Sequence, residues 1–99
     1  MIGFRSGGQT GKAMPKISEF FGISIYVYYR EHQPPHFHAL YAGEEILVSV
    51  KELSVMGGAI HPRAIGMVIE WAALHQKELL RVWEQAVKQE PLSAIEPLE

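Results

Sequence analysis

A chain of 99 residues, 47% of them apolar and 10% aromatic, suffices for one small domain with a core of modest stability. It has no cysteine, which excludes a disulfide framework and any thiolate metal site, and no apolar run approaches the roughly 20 residues of a membrane helix. Eleven acidic residues, all glutamate, stand against nine Lys/Arg for a net charge of −2, whereas phosphate binding draws on a basic excess; nucleic acid is therefore disfavoured as a partner.

Residues 1–13 (MIGFRSGGQTGKA) are rich in Gly and polar side chains, without periodicity and without the apolar centre of a secretion signal. They read as a flexible arm or a leader before a second start at Met14. Residues 14–99 then make a single globular domain, expected to be soluble and cytoplasmic. Ser18 to Gly22 reads as one helical turn, with Ser18 at its N-cap and Gly22 closing it in the left-handed region.

Ile23 to Arg30 (ISIYVYYR) is the strongest strand pattern, dense in β-branched and aromatic residues. Ile23, Ile25, Val27 and Tyr29 share one face; Ser24, Tyr26, Tyr28 and Arg30 share the other. Bulk on both faces suggests a central strand. His36 to Tyr41 reads as a second strand, Ala42-Gly43-Glu44 as a short turn and Glu45 to Val50 as a third strand, making a hairpin. Lys51 to Ile60 is ambiguous; Leu53 to Met56 fits a fourth, edge strand that Gly57-Gly58 ends.

From Pro62 the apolar period changes from two to about 3.6. Pro62 suits a first helical position, and no breaker follows until Pro91. Ile65, Val68, Ile69, Ala72, Leu79, Leu80, Trp83, Ala86 and Val87 fall on one arc, the expected core face. His75-Gln76 interrupts that arc, so two helices with a bend there are the alternative to one. The expectation is an α+β fold: an antiparallel sheet of three to four strands, with a long or bent C-terminal helix packed on one face. Met67, Trp71 and Leu74 form a second stripe outside the arc. It either packs under the Ile60 loop or the C-terminal tail (Leu92, Ile95, Leu98), or forms an interface for a protein partner or a homo-oligomer.

Three of the five histidines lie in His32-Gln33-Pro34-Pro35-His36-Phe37-His38, where two prolines stiffen the backbone. On a strand, His36 and His38 project to one face, and His32 returning across the prolines supplies a third nitrogen. Three protein ligands with a free position fit a catalytic site for a divalent transition metal, zinc or nickel, which Glu31 or Glu44 would complete. A second reading is metal-free acid/base chemistry on a phosphodiester, with Tyr28, Arg30 and Tyr41 as ligand-binding groups around the imidazoles. The third reading is structural: Phe37 faces the core and the histidines bond to backbone or glutamate. His61 reads as a helix-start residue, and His75 as a buried or half-buried histidine bonded to a carbonyl.

These residues carry a resemblance. Met14-Pro15-Lys16-Ile17, Phe21-Gly22-Ile23, the histidine segment with Ala39 and Tyr41, Pro62-Arg63-Ala64, Glu70-Trp71-Ala72, His75-Gln76, Leu79-Leu80, Trp83 and Ile95-Glu96-Pro97-Leu98 are similar to a family of small bacterial and archaeal proteins known as a domain of unknown function. Members tend to be encoded beside another small uncharacterised domain. The resemblance therefore implies a two-protein module, of the toxin–antitoxin kind, and a partner-binding or regulatory role. It supplies no catalytic residue. The alternative from the residues themselves is a metal-dependent or histidine-based hydrolase, such as a nuclease, using His32, His36 and His38.

Overall fold

The computed structural model describes residues 15–99; the arm expected at 1–13 lies outside them. Five strands form one antiparallel sheet in sequence order: β1 (Lys16–Phe20), β2 (Ile23–Tyr26), β3 (His36–Tyr41), β4 (Glu44–Ser49) and β5 (Val55–Gly58). Helices α1 (Pro62–Leu74) and α2 (Gln76–Val87) follow. The α+β class is as expected, with a larger sheet and two helices, the bent alternative.

The added strand β1 replaces the helical turn expected at Ser18 to Gly22. Phe20 pairs with Ile23, leaving Phe21 and Gly22 as a two-residue hairpin loop. Both loop residues have positive φ, +50° and +78°, as a turn matched to the twist of antiparallel strands requires. Extended pairing also buries Ile17 and Phe20, which a lone helical turn would leave without a core. At the other edge, β5 takes in Gly57 and Gly58 instead of ending before them. Gly58 has φ +82°, and a Cβ there would lie 2.2 Å from the Glu45 carbonyl oxygen, so only glycine fits that approach.

One sheet face is apolar: Ile23, Ile25, Val27, Phe37, Ala39, Ile46, Val48 and Val50 are all buried. α1 contributes Ala64, Val68, Trp71 and Ala72 to the core, and α2 contributes Leu79, Val82, Trp83 and Ala86. The core arc is thus rotated from the expected one. Ile65 and Ile69 are half-buried and Val87 is exposed, while Trp71 and Val82 point inward. The Trp71 ring lies 5.3 Å from Phe20 and 5.7 Å from Phe37, centroid to centroid, and its Nε1 donates to the Glu96 carbonyl at 2.8 Å. The C-terminal tail covers it, anchored by Ile95 N donating to Ile17 O at 2.8 Å. The Met67, Trp71 and Leu74 stripe therefore does not form a surface: Trp71 is wholly buried, Met67 half-buried, and Leu74 alone is exposed. The physical reason is that the largest apolar side chain, with one donor to satisfy, finds both a core and a carbonyl.

The helices break at His75, and the Gln76 amide bridges to the sheet by donating to Val50 O at 2.7 Å and Lys51 O at 3.1 Å. His61 caps α1, its Nδ1 accepting from Arg63 N at 3.1 Å, as a helix-start residue should. His75 is half-buried and bonds to the Glu78 carboxylate rather than to a carbonyl. Among the described residues no helix is long and apolar enough to cross a membrane.

Candidate metal centre

Alternation along β3 sends Phe37 into the core and leaves His36 and His38 on the opposite sheet face. Both rings are nonetheless almost covered. Tyr28 lies over His38 with ring centroids 4.2 Å apart, and Trp83 of α2 sits 5.1 Å from His36. The two imidazoles are 5.6 Å apart, centroid to centroid.

Glu31 joins them. Its Oε1 lies 2.8 Å from His36 Nε2 and 2.6 Å from His38 Nε2, so one carboxylate oxygen meets both rings. The outer nitrogens are tied off: His36 Nδ1–H donates to the Pro34 carbonyl at 2.8 Å, and His38 Nδ1 pairs with Glu45 Oε2 at 2.5 Å. A carbonyl only accepts, which fixes the His36 proton on Nδ1. Glu31, His36 and His38 each offer one ligand atom, all within 4.8 Å of one another.

This arrangement has a proton problem. With each Nδ1 donating, Nε2 either carries a second proton, making two imidazolium rings held between Glu31 and Glu45, or turns a lone pair towards a carboxylate oxygen. The side chains of His36 and His38 are only 8% and 9% exposed, so two buried cations are costly and opposed lone pairs are repulsive. A divalent cation among the two Nε2 atoms and Oε1 would replace the two protons charge for charge. The Nε2–Oε1 separations lie slightly inside the about 3.3 Å ligand–ligand edge of a tetrahedral site with bonds of about 2.0–2.1 Å. An ion there would require Glu31 Oε1 to draw back from both nitrogens by about 0.5 Å or more. Two histidines and one carboxylate also leave coordination positions open.

Glu31 is subject to opposing influences. Burial pushes its carboxyl up, but the hydrogen bonds and charge of His38 and His36 prevail and hold it below the usual carboxylate range. The Tyr28 phenol is pushed up by burial first, then by the negative charge of Glu45, so it stays a neutral donor. Tyr28, Arg30, Glu31, Trp83 and Gln89 line a cleft of about 140 Å³ beside the centre.

The structure separates the residues expected at the site. His36 and His38 come together, whereas His32 is exposed and outside the cluster; Glu31 takes the third position. The backbone leaves strand geometry after Tyr26, so alternation no longer sets directions there, and the turn brings Glu31 inward. Tyr28 and Arg30 line the cleft, but Tyr41 follows Phe37 and Ala39 to the apolar face, where it packs against the core and Gly22. Glu44 is exposed at the hairpin turn, and its neighbour Glu45 is the carboxylate that reaches His38. That contact was legible from the hairpin: a two-residue Ala42-Gly43 loop pairs Leu40 with Glu45 and His38 with Leu47, putting Glu45 diagonal to His38 on one face. Trp83 had no such signal, since its contact with His36 depends on how α2 lies.

A family model described as Domain of unknown function (DUF4160) matches residues 22–84, which include Glu31, His36, His38, Glu45 and Trp83. No curated protein and no solved structure matches the chain.

Proposed function

The chain belongs to this domain family of unknown function, and from that premise we propose that Glu31, His36 and His38 form a mononuclear centre for a divalent transition metal, zinc or nickel. One observation carries the reading: both Nδ1 atoms are engaged by oxygen acceptors while both Nε2 atoms converge on Glu31 Oε1. Histidine ligands are oriented in this way, the outer nitrogen bonded to a carbonyl or carboxylate and the inner lone pair aimed at the ion. Arrangements made only for packing have no need to align three ligand atoms.

The ligand set suits hydrolysis. An ion held by Glu31, His36 and His38 would keep a position for water and would supply the chemistry of an activated water nucleophile. Glu31 belongs to both the ligand set and the cleft wall, so the cleft adjoins the proposed centre. We therefore favour a small metal-dependent hydrolase over a partner-binding module. Burial of Trp71 removes the residue on which the partner surface depended.

Titration of untagged protein with Zn²⁺, Ni²⁺ or Co²⁺, read by competition with a chromophoric chelator, tests the centre. One equivalent should bind. Glu31→Ala and His38→Ala should each weaken affinity about 100-fold or more, while His32→Ala should bind as the parent does. Failure of all three ions to bind, or equal binding by Glu31→Ala, would overturn the reading.

A further inference from the structure

The cleft beside Glu31 is built from two backbone positions that favour glycine and do not have it. Among the described residues, five non-glycine positions have positive φ. Phe21 and Ala42 belong to the two-residue hairpin loops, and Leu53 to the turn between β4 and β5. The remaining two, Arg30 at +66° and Gln89 at +58°, both line this cleft.

Gln89 closes α2. Glu90 N donates to Gln85 O at 2.8 Å and Gln89 N to Ala86 O at 3.1 Å, the paired bonds of a left-handed helix end whose usual residue is glycine. The last turn of α2 lines the cleft, and the negative end of the helix is a charge that Arg30 must offset. The Tyr29 hydroxyl donates to Glu90 O at 2.8 Å, tying the chain beside Arg30 to the helix end. Unfavourable backbone geometry on both walls, each time with a long polar side chain, is typical of ligand sites.

We infer that this cleft binds an oxyanion group, carboxylate or phosphate, of a small ligand, with Arg30 as its counter-charge and Tyr28 and Gln89 as hydrogen-bond donors. Arg30 offers a planar fork of donors that matches either group. The space of about 140 Å³ admits a ligand portion about the size of a benzene ring, which fits one such group with a short stem. The inference rests on the metal reading in one respect. Glu31 alone would repel an anion, and a divalent ion at the three ligands would offset the charges of Glu31 and Glu45 and leave Arg30 in excess. The oxyanion end of a substrate would thereby be held next to the proposed centre.

Backbone and indole NMR resonances of Arg30, Glu31, Trp83 and Gln89 report occupancy, with inorganic phosphate and acetate as probes, with and without Zn²⁺. In Zn²⁺-loaded protein one or both probes should shift these resonances saturably, and the probe that binds identifies the group. Arg30→Gly, which suits the local φ, should weaken binding about tenfold or more. Zn²⁺ titration of the same variant checks that the ligands are intact. Saturable probe binding that Arg30→Gly does not alter, or Zn²⁺ binding without any probe response, overturns the subsite and leaves the metal centre standing. Arg30-dependent probe binding in protein that takes up no Zn²⁺ supports the subsite and overturns the centre. No response to Zn²⁺ or to either probe overturns both.

Discussion

His38 Nδ1 pairs with Glu45 Oε2 at 2.5 Å across the β3–β4 ladder, coupling a proposed metal ligand to a carboxylate on the neighbouring strand. Such a carboxylate fixes the ring's tautomer and raises the basicity of the nitrogen that faces the ion. Glu45→Ala should therefore weaken Zn²⁺ binding about 10- to 100-fold with one-to-one stoichiometry retained. Glu45→Gln, which keeps an acceptor oxygen, should lie between Ala and the parent. Chelator competition on the three proteins gives the ranking; parental affinity in Glu45→Ala would remove Glu45 from the centre.

Acid sensitivity of the metal-free protein follows from Glu31. Its carboxyl is depressed in the folded state, by His38 and His36 acting against burial. A depressed carboxyl contributes stability that is fully present above the unfolded value, about 4.3, and is lost as pH falls through the folded value. Urea midpoints measured between about pH 3 and pH 6 should fall towards acid, and Glu31→Gln should flatten that slope. Added Zn²⁺ should raise the midpoint most at the upper end, where protons compete least for the ligands.

Gln89→Gly should stabilise the fold. The residue occupies the left-handed position after α2 with φ +58°, where a side chain costs up to about 1 kcal/mol relative to glycine. A chain of this size should gain about 4–8 °C in Tm per kcal/mol, so a rise of a few degrees is expected by calorimetry. A lower Tm would mean that the Gln89 side chain makes stabilising contacts that outweigh its backbone conformation.

Trp71 ties the sheet, α1 and the tail together. Trp71→Ala should cost about 3–5 kcal/mol, a large share of the roughly 5–15 kcal/mol available to a small domain. Trp71→Phe keeps most of the ring contact with Phe20 and Phe37 but loses the bond to the Glu96 carbonyl. It should unfold at slightly lower urea and release the tail, seen as faster hydrogen exchange at the Ile95 amide, which donates to Ile17. Unchanged exchange there would show that the tail is held without Trp71.

The strands β3 and β4, the first half of the strand expected over Ile23 to Arg30 and the break at His75 were legible because alternation and apolar period are local properties of the chain; Val27 to Arg30 leave the sheet. β1 was not legible, because Ser18 and Gly22 fit a helix cap and a helix stop as well as a hairpin, and pairing with β2 and the packing of Phe20 on Trp71 decide between them. At the site, His36 and His38 followed from strand alternation. Choosing Glu31 over His32 did not, since both lie where the backbone has left the strand, and tertiary placement sets which side chain turns inward. The Met67–Trp71–Leu74 stripe failed for a related reason: helical spacing fixes which residues share a face, not which face meets the sheet.

The Ala42–Gly43 loop has two residues, and that length governs chemistry several ångströms away. Adding one residue there would slip β4 by a step and invert its faces, sending Ile46 and Val48 to water and turning Glu45 away from His38. Adding two would preserve the faces but carry the carboxylate one rung beyond reach. A loop that touches none of the proposed ligands would thus act as a gauge for that centre, its size counting for as much as the imidazoles themselves.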